Sequence, residues 1–253
     1  MAHKTFVARK IIHPPIRCES TAMLFRNSSL VFFSSCSTGL SKYFKRLSSS
    51  NVYEEIKYYY DYKSPFTYLS FVPTIELEKF YRIKYRFLPY PFSAKSFGGK
   101  LEERSERDWA KVRYLYIDAR RFANERGLII RGPKKFFNSY LSLISGLYAD
   151  QNNVFVDYSK LVFERFFKRE LDIENIDELI KILNEVGLHN DNDFRHYVEH
   201  KGRIDFSLAA KEAEQDNVFG VPMLIIRGEP FWGNDRMEWV KKKLDKLGLN
   251  KSS

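Results

Sequence analysis

The sequence predicts an α/β protein: an opening β-α-β unit, a long all-helical stretch and a closing β-β-α unit. Three observations carry that expectation. Residues 54–90 hold two strand-like runs on either side of a helical pattern. From about residue 92 to 217 strand signals vanish and charged helical patterns follow one another. Residues 218–247 then supply a buried-strand run, a tight turn, a short strand and an amphipathic helix.

Each element has a local reason. EEIKYYYD at 54–61 is rich in β-favouring aromatics. Ser64 is a good helix N-cap and Pro65 fits the first helical position. Apolar residues recur at Leu69, Val72, Ile75 and Phe80, with Pro73 expected to kink or shorten that helix. RIKYRFLPY at 82–90 alternates as a second strand. Helical patterns cover 105–126, 135–149, 157–170, 175–187 and 191–217, punctuated by Gly127, Gly132-Pro133, Gly187 and Gly202. VFGVPMLII at 218–226 is a buried strand, Arg227-Gly228-Glu229-Pro230 a turn, Phe231-Trp232 a short strand, and 235–247 the closing helix. The implied organisation is a leader at 1–50, an α/β domain from 51–91 and 218–253, and an inserted helical domain at 92–217.

The chain of 253 residues is 44% hydrophobic and 16% aromatic, which is a globular composition. Its formal charge of +10 is unevenly placed. Residues 1–50 hold eight Lys/Arg and one acid, Glu19, leaving 34 of the 42 cations against 31 of the 32 acids elsewhere. The body is nearly neutral, so no nucleic-acid partner is expected. A basic, serine-rich leader poor in acids is the composition of a mitochondrial transit peptide, and a matrix location is expected. Its longest apolar run, Leu30-Val31-Phe32-Phe33, is too short for a membrane span, and no membrane partner is expected.

Both cysteines, Cys18 and Cys36, lie in the leader. Thiol–disulfide exchange needs an attacking thiolate, so any thiol in the chemistry of the body must come from a ligand. His196-Tyr197-Val198-Glu199-His200 matches a zinc-peptidase pattern. It is short, lies in a strongly charged helical run and has no convincing third ligand among His3, His13 and His189. A solvated helix face is expected there, and no metal. Lys241–Lys246 reads in the same way as an exposed face.

The stretch Asp61-x-x-Ser64-Pro65-Phe66-Thr67-Tyr68-Leu69 places a hydroxyl where a redox cysteine could stand, at a strand-to-helix corner. Together with Phe219-Gly220-Val221-Pro222 and Phe231-Trp232-Gly233-Asn234-Asp235-Arg236, it resembles the signatures of the kappa-class glutathione transferases and 2-hydroxychromene-2-carboxylate isomerases. That family is DsbA-like, with a thioredoxin-like fold carrying a helical insertion. Lys111, seven residues before Asp118, falls in a run like the family's insertion helix. The likeness covers about residues 55–247.

The resemblance implies a glutathione-dependent enzyme acting on a small electrophile, either a transferase or an isomerase, and a homodimer. Ser64 would donate to the glutathione thiolate, which the helix N-terminus also favours. A cis peptide is implied at Pro222, exposing the backbone of Val221 to the cysteinyl residue. Asn234 and Asp235, capping the last helix, would hold the γ-glutamyl end, and Lys111 the glycyl carboxylate. The chain departs from the family at Ser96-Phe97-Gly98-Gly99-Lys100, where an Asn is usual. A different class stays open: a non-catalytic thioredoxin-like protein binding a peptide or partner through the cis-proline groove.

Overall fold

The structure is a computed structural model, and it describes residues 53–92 and 104–251. The expected leader, and the Ser96–Lys100 departure, lie outside the described residues. The chain runs β1 (Glu54–Tyr60), α1 (Pro65–Phe80), β2 (Ile83–Pro89), then α2 (Glu106–Glu125), α3 (Tyr140–Gln151), α4 (Phe155–Lys168), α5 (Ile176–Glu185), α6 (Asp191–Glu199) and α7 (Lys201–Gln215). It closes with β3 (Met223–Ile226), β4 (Glu229–Trp232), a 3-10 turn (Asn234–Arg236) and α8 (Met237–Lys246).

The sheet order is β2-β1-β3-β4, with β1 parallel to β2 and the other pairings antiparallel. This is the expected thioredoxin-like arrangement with its helical insertion. Alternation along β1 sends side chains to two faces. Ile56, Tyr58 and Tyr60 are buried with Phe71 of α1 and with Phe155 and Phe163 of α4. Tyr59 points the other way, into a smaller cluster with Leu88, Met223, Ile225 and the small Ala209 and Ala213 of α7. Polar bonds hold α7 in place: Asp216, just past its end, accepts from Lys57 Nζ at 2.7 Å and from the Tyr59 hydroxyl at 2.5 Å. The β3–β4 hairpin turns at Arg227 and Gly228, both at positive φ (50° and 78°), as a two-residue turn matched to strand twist requires.

Three expectations are corrected. The helix expected over 191–217 breaks at His200 (φ −121°, ψ −91°) into α6 and α7. Gly202 marks the break, because a Cβ there would sit 2.6 Å from Ile144 Cγ2 of α3 and 2.8 Å from the Tyr197 carbonyl. The helix expected from 135 starts at Tyr140. Residues 131–139 form a loop instead, tied down by Arg131 N–H to Phe167 O at 2.9 Å and Arg169 Nε to Gly132 O at 2.8 Å. Finally, α1 is neither ended nor shortened by Pro73. Proline leaves the carbonyl four residues back, that of Leu69, without its helical partner. The Arg126 guanidinium donates to that carbonyl and replaces the missing N–H.

Candidate functional site

The strand-to-helix corner is built by short-range bonds. The Ser64 N–H closes a turn onto the Asp61 carbonyl at 3.1 Å, and Tyr68 N–H begins the helix on Ser64 O at 3.1 Å. Ser64 is the N-cap: its Oγ accepts from Thr67 N–H at 3.2 Å, with Pro65 at the first helical position. The residue is 4% exposed. Its hydroxyl donates to the Val221 carbonyl across 157 residues of sequence, at 3.4 Å. The Val221–Pro222 peptide is cis, and Gly233 N–H binds the Pro222 carbonyl at 3.0 Å. Ser64, Val221 and Pro222, named separately from sequence, therefore meet at one point.

That point is the floor of a cleft of about 770 Å³. Trp109, Val112 and Tyr116, spaced on one face of α2, line one wall. The 132–136 loop lines another, and Phe219 and Trp232 flank the cis-proline. Their rings meet edge-on at 5.0 Å and are 60% and 51% exposed, so an apolar surface beside Val221 is open to a ligand. Lys63, Arg104, Lys134 and Lys135 also line the cleft, and no Asp or Glu does so among the described residues. An anion with flat apolar parts matches such a lining.

Behind the floor lies a buried charge. Asp61 is fully buried and accepts from Lys63 N–H at 3.1 Å and Phe92 N–H at 2.9 Å. Burial pushes its carboxyl above the ordinary carboxylate value, while the Lys63 ammonium 3.6 Å away and the backbone donors pull it down.

The other residues named from sequence stand elsewhere. Lys111 is exposed on α2 and pairs with Asp108 at 3.5 Å; it does not line the cleft. Asn234 is buried, and its amide oxygen accepts from Arg126 at 3.0 Å. Asp235 is surface-exposed and pairs with Arg236 at 2.8 Å. The cap expected of Asn234 and Asp235 on the last helix is not formed: both lie in the 3-10 turn, α8 begins after Arg236, and neither side chain caps it. In the sequence, Lys63, Arg104, Lys134 and Lys135 carry no signal of their own as cleft cations. For Lys63, its position between Asp61 and Ser64 is the pointer. For Lys134 and Lys135 it is the Gly132-Pro133 break before two cations and an aromatic.

His196 and His200 stack ring on ring at 4.2 Å, and among the described residues no three His, Cys, Asp or Glu are grouped to hold a metal ion. No helix of the described residues is long and apolar enough to cross a membrane.

Comparison with known proteins follows the same outline. The DSBA-like thioredoxin domain family matches residues 55–245. A 2-hydroxychromene-2-carboxylate isomerase of Sphingobium xenophagum is 28% identical over 194 residues, covering 75% of this chain and 97% of that protein. The isomerase of the same name from Pseudomonas putida is 24% identical over 196 residues, covering 76% and 95%. Among solved structures, a 2-hydroxychromene-2-carboxylate isomerase superposes with a TM-score of 0.64 at 23% identity, covering 76% of this chain and 95% of that one. The cytosolic disulfide reductase DsbM of Pseudomonas aeruginosa, solved with GSH, has a TM-score of 0.53 at 12% identity, over 76% and 99% of the two chains.

Proposed function

Since the chain belongs to the DSBA-like thioredoxin domain family, we propose that its cleft binds glutathione and that the protein is a glutathione-dependent isomerase of an aromatic carboxylate such as 2-hydroxychromene-2-carboxylate. The observation that carries this reading is the buried Ser64 hydroxyl at a helix N-terminus, facing the carbonyl before a cis-proline in a cleft lined by cations. The names of the two isomerase relatives support it. So does the lack of any cysteine after Cys36, which leaves the cleft without a thiol of its own.

The residues fit glutathione. The bond from Ser64 to Val221 is long at 3.4 Å, so both of its halves are easily taken by a ligand. A cysteinyl N–H would bind the Val221 carbonyl, and the Ser64 proton would turn to the sulfur. When bound, glutathione supplies a thiolate that adds to an unsaturated carbon, permits rotation about a bond, and leaves. Ser64 holds its proton toward that charge, and the positive end of the α1 dipole adds its partial charge. Lys63, Arg104 and Lys134 attract the ligands' carboxylates, whereas Lys135 is already paired with Glu174, and the aromatic walls give the sulfur an apolar setting.

Calorimetry with glutathione, followed by turnover of 2-hydroxychromene-2-carboxylate with and without it, tests the reading. Binding and glutathione-dependent isomerisation are expected. A chain that binds no glutathione, or isomerises equally well without it, would sink the proposal. A generic haloarene as a third substrate checks for transferase activity. The second reading is a non-catalytic binder, favoured by the exposed Phe219 and Trp232 beside the cis-proline. It predicts binding without turnover of either substrate.

A further inference from the structure

Lys63 stands immediately before Ser64 and lines the same cleft. Its side chain is only 10% exposed. Its ammonium lies 4.9 Å from the centre of the Phe136 ring and 5.2 Å from that of Phe92. The two rings meet edge-on at 6.1 Å, so the cation is held in an aromatic corner joining the Ser64 turn to the 132–136 loop. Its neighbouring anion, Asp61, lies 3.6 Å away, beyond hydrogen-bond reach. Asp61 already accepts two backbone N–H groups, one on each carboxylate oxygen. Among the described residues, the Lys63 ammonium donates no hydrogen bond. A partly desolvated cation with unused donors, walled by aromatic rings, is suited to a carboxylate carried on a flat ring.

We infer that Lys63 binds the carboxylate of the electrophilic substrate and, one residue from Ser64, orients an aromatic carboxylate with its reactive carbon toward the thiol. This rests on the glutathione reading above for the thiol, but not for the carboxylate contact itself. The two phenyl rings favour an aromatic acid over the aliphatic glycyl carboxylate of glutathione. Asp61 is the positioning residue: it keeps Lys63 in the corner and competes weakly for its charge.

The two members of the pair should therefore act in opposite directions. Coumarin-3-carboxylate and uncharged coumarin are titrated by fluorescence against the full chain. The wild type should prefer the carboxylate by about tenfold or more, the value of one charge-assisted contact. Lys63→Met should abolish that preference while leaving coumarin affinity in place, and Lys63→Arg should restore part of it. Asp61→Asn should strengthen the preference, because the ammonium loses its competing anion. If Lys63→Met fails to fold with Asp61 uncompensated, the double variant Asp61→Asn/Lys63→Met carries the same test. Retention of the preference without Lys63, or its weakening in folded Asp61→Asn, overturns the assignment. Loss of glutathione affinity by more than about twofold in Lys63→Met, with coumarin-3-carboxylate unaffected, overturns it also. A wild type that binds the coumarin acid through Lys63 but no glutathione would instead refute the thiol reading and leave Lys63 standing.

Discussion

Two helix starts carry polar residues that look alike in the sequence, and the structure uses them in opposite ways. At the first, Ser64 caps α1, and its remaining hydrogen bond, to Val221, is long and opens onto the cleft. At the second, Asn234 is committed to Arg126, and that same guanidinium nitrogen serves the Leu69 carbonyl left unpaired by Pro73. The 3-10 turn at 234–236 also packs against α1. One start thus leaves a hydroxyl facing the cleft, and the other repairs the first helix from behind. A polar side chain is available for chemistry only if the fold has not already satisfied it.

The largest effect is expected from breaking the repair. Arg126→Met leaves the Leu69 carbonyl and the Asn234 amide without their donor. At a cost of about 1–3 kcal/mol for each of the two buried unsatisfied groups, a loss of about 2–6 kcal/mol is expected in urea denaturation. Glutathione affinity of the molecules that remain folded should barely move. A variant of full stability would mean that α1 tolerates Pro73 without the guanidinium.

The first start also responds to pH. Asp61, behind the Ser64 corner, has its carboxyl raised from the ordinary 3.8 by burial, against the pull of Lys63. A group whose folded pKa is raised binds its proton more tightly in the folded state. Its contribution is therefore favourable at low pH and is lost as pH climbs from about 3.8 through the raised value. Asp61→Asn should remove that loss, so the stability difference should move in the variant's favour as pH rises over this window. The slope cannot exceed about 1.4 kcal/mol per pH unit for one proton. A difference that runs the opposite way would show that the pair with Lys63 dominates over burial.

At Ser64 the effect is smaller in stability and specific in chemistry. Ser64→Ala should cost about 1 kcal/mol through the lost cap. It should also raise the thiol pKa of bound glutathione, each unit being worth about 1.4 kcal/mol. Ultraviolet titration of thiolate absorbance in the two complexes reads this directly. Identical curves with lowered thermal stability would reduce Ser64 to a structural cap.

How far the sequence reveals this division depends on the distance between partners. The Ser64-Pro65 corner is legible because capping and proline preference act within four residues. The first three strands are legible from their apolar and aromatic runs, but β3 starts only at Met223 within the expected 218–226, and the exposed β4 takes in Glu229 and Pro230 from the expected turn. Asn234 is not legible, because its partner Arg126 is 108 residues away and nothing local marks the bond. The loop wall at 132–136 is half legible: Gly132-Pro133 marks the break, but the loop's path is set by bonds from Arg131 to α4 and from Arg169 to Gly132, and Lys135 is held by Glu174. The break at His200 comes from the close approach of Gly202 to Ile144, a contact between helices and not a local signal.

The smallest effect is expected at Asp235. In the sequence it shares a motif with Asn234, and the family resemblance would have it hold the α-ammonium of glutathione. In the structure its side chain is 56% exposed, pairs with the adjacent Arg236 at 2.8 Å, and lies outside the residues that line the cleft. An exposed pair of this kind contributes about 0–1 kcal/mol. Asp235→Ala should therefore change the unfolding free energy by less than about 1 kcal/mol. If the cleft alone holds glutathione, calorimetry should give the same dissociation constant for variant and parent within about twofold, a difference of roughly 0.4 kcal/mol. A contact to the ligand's ammonium predicts a loss of about 1.5–3 kcal/mol, more than tenfold in affinity. That larger loss, found with unchanged stability, would mean that ligand binding draws Asp235 away from Arg236 and extends the site to the second helix start. The two starts would then share one ligand, and the contrast between them would hold only for the free protein.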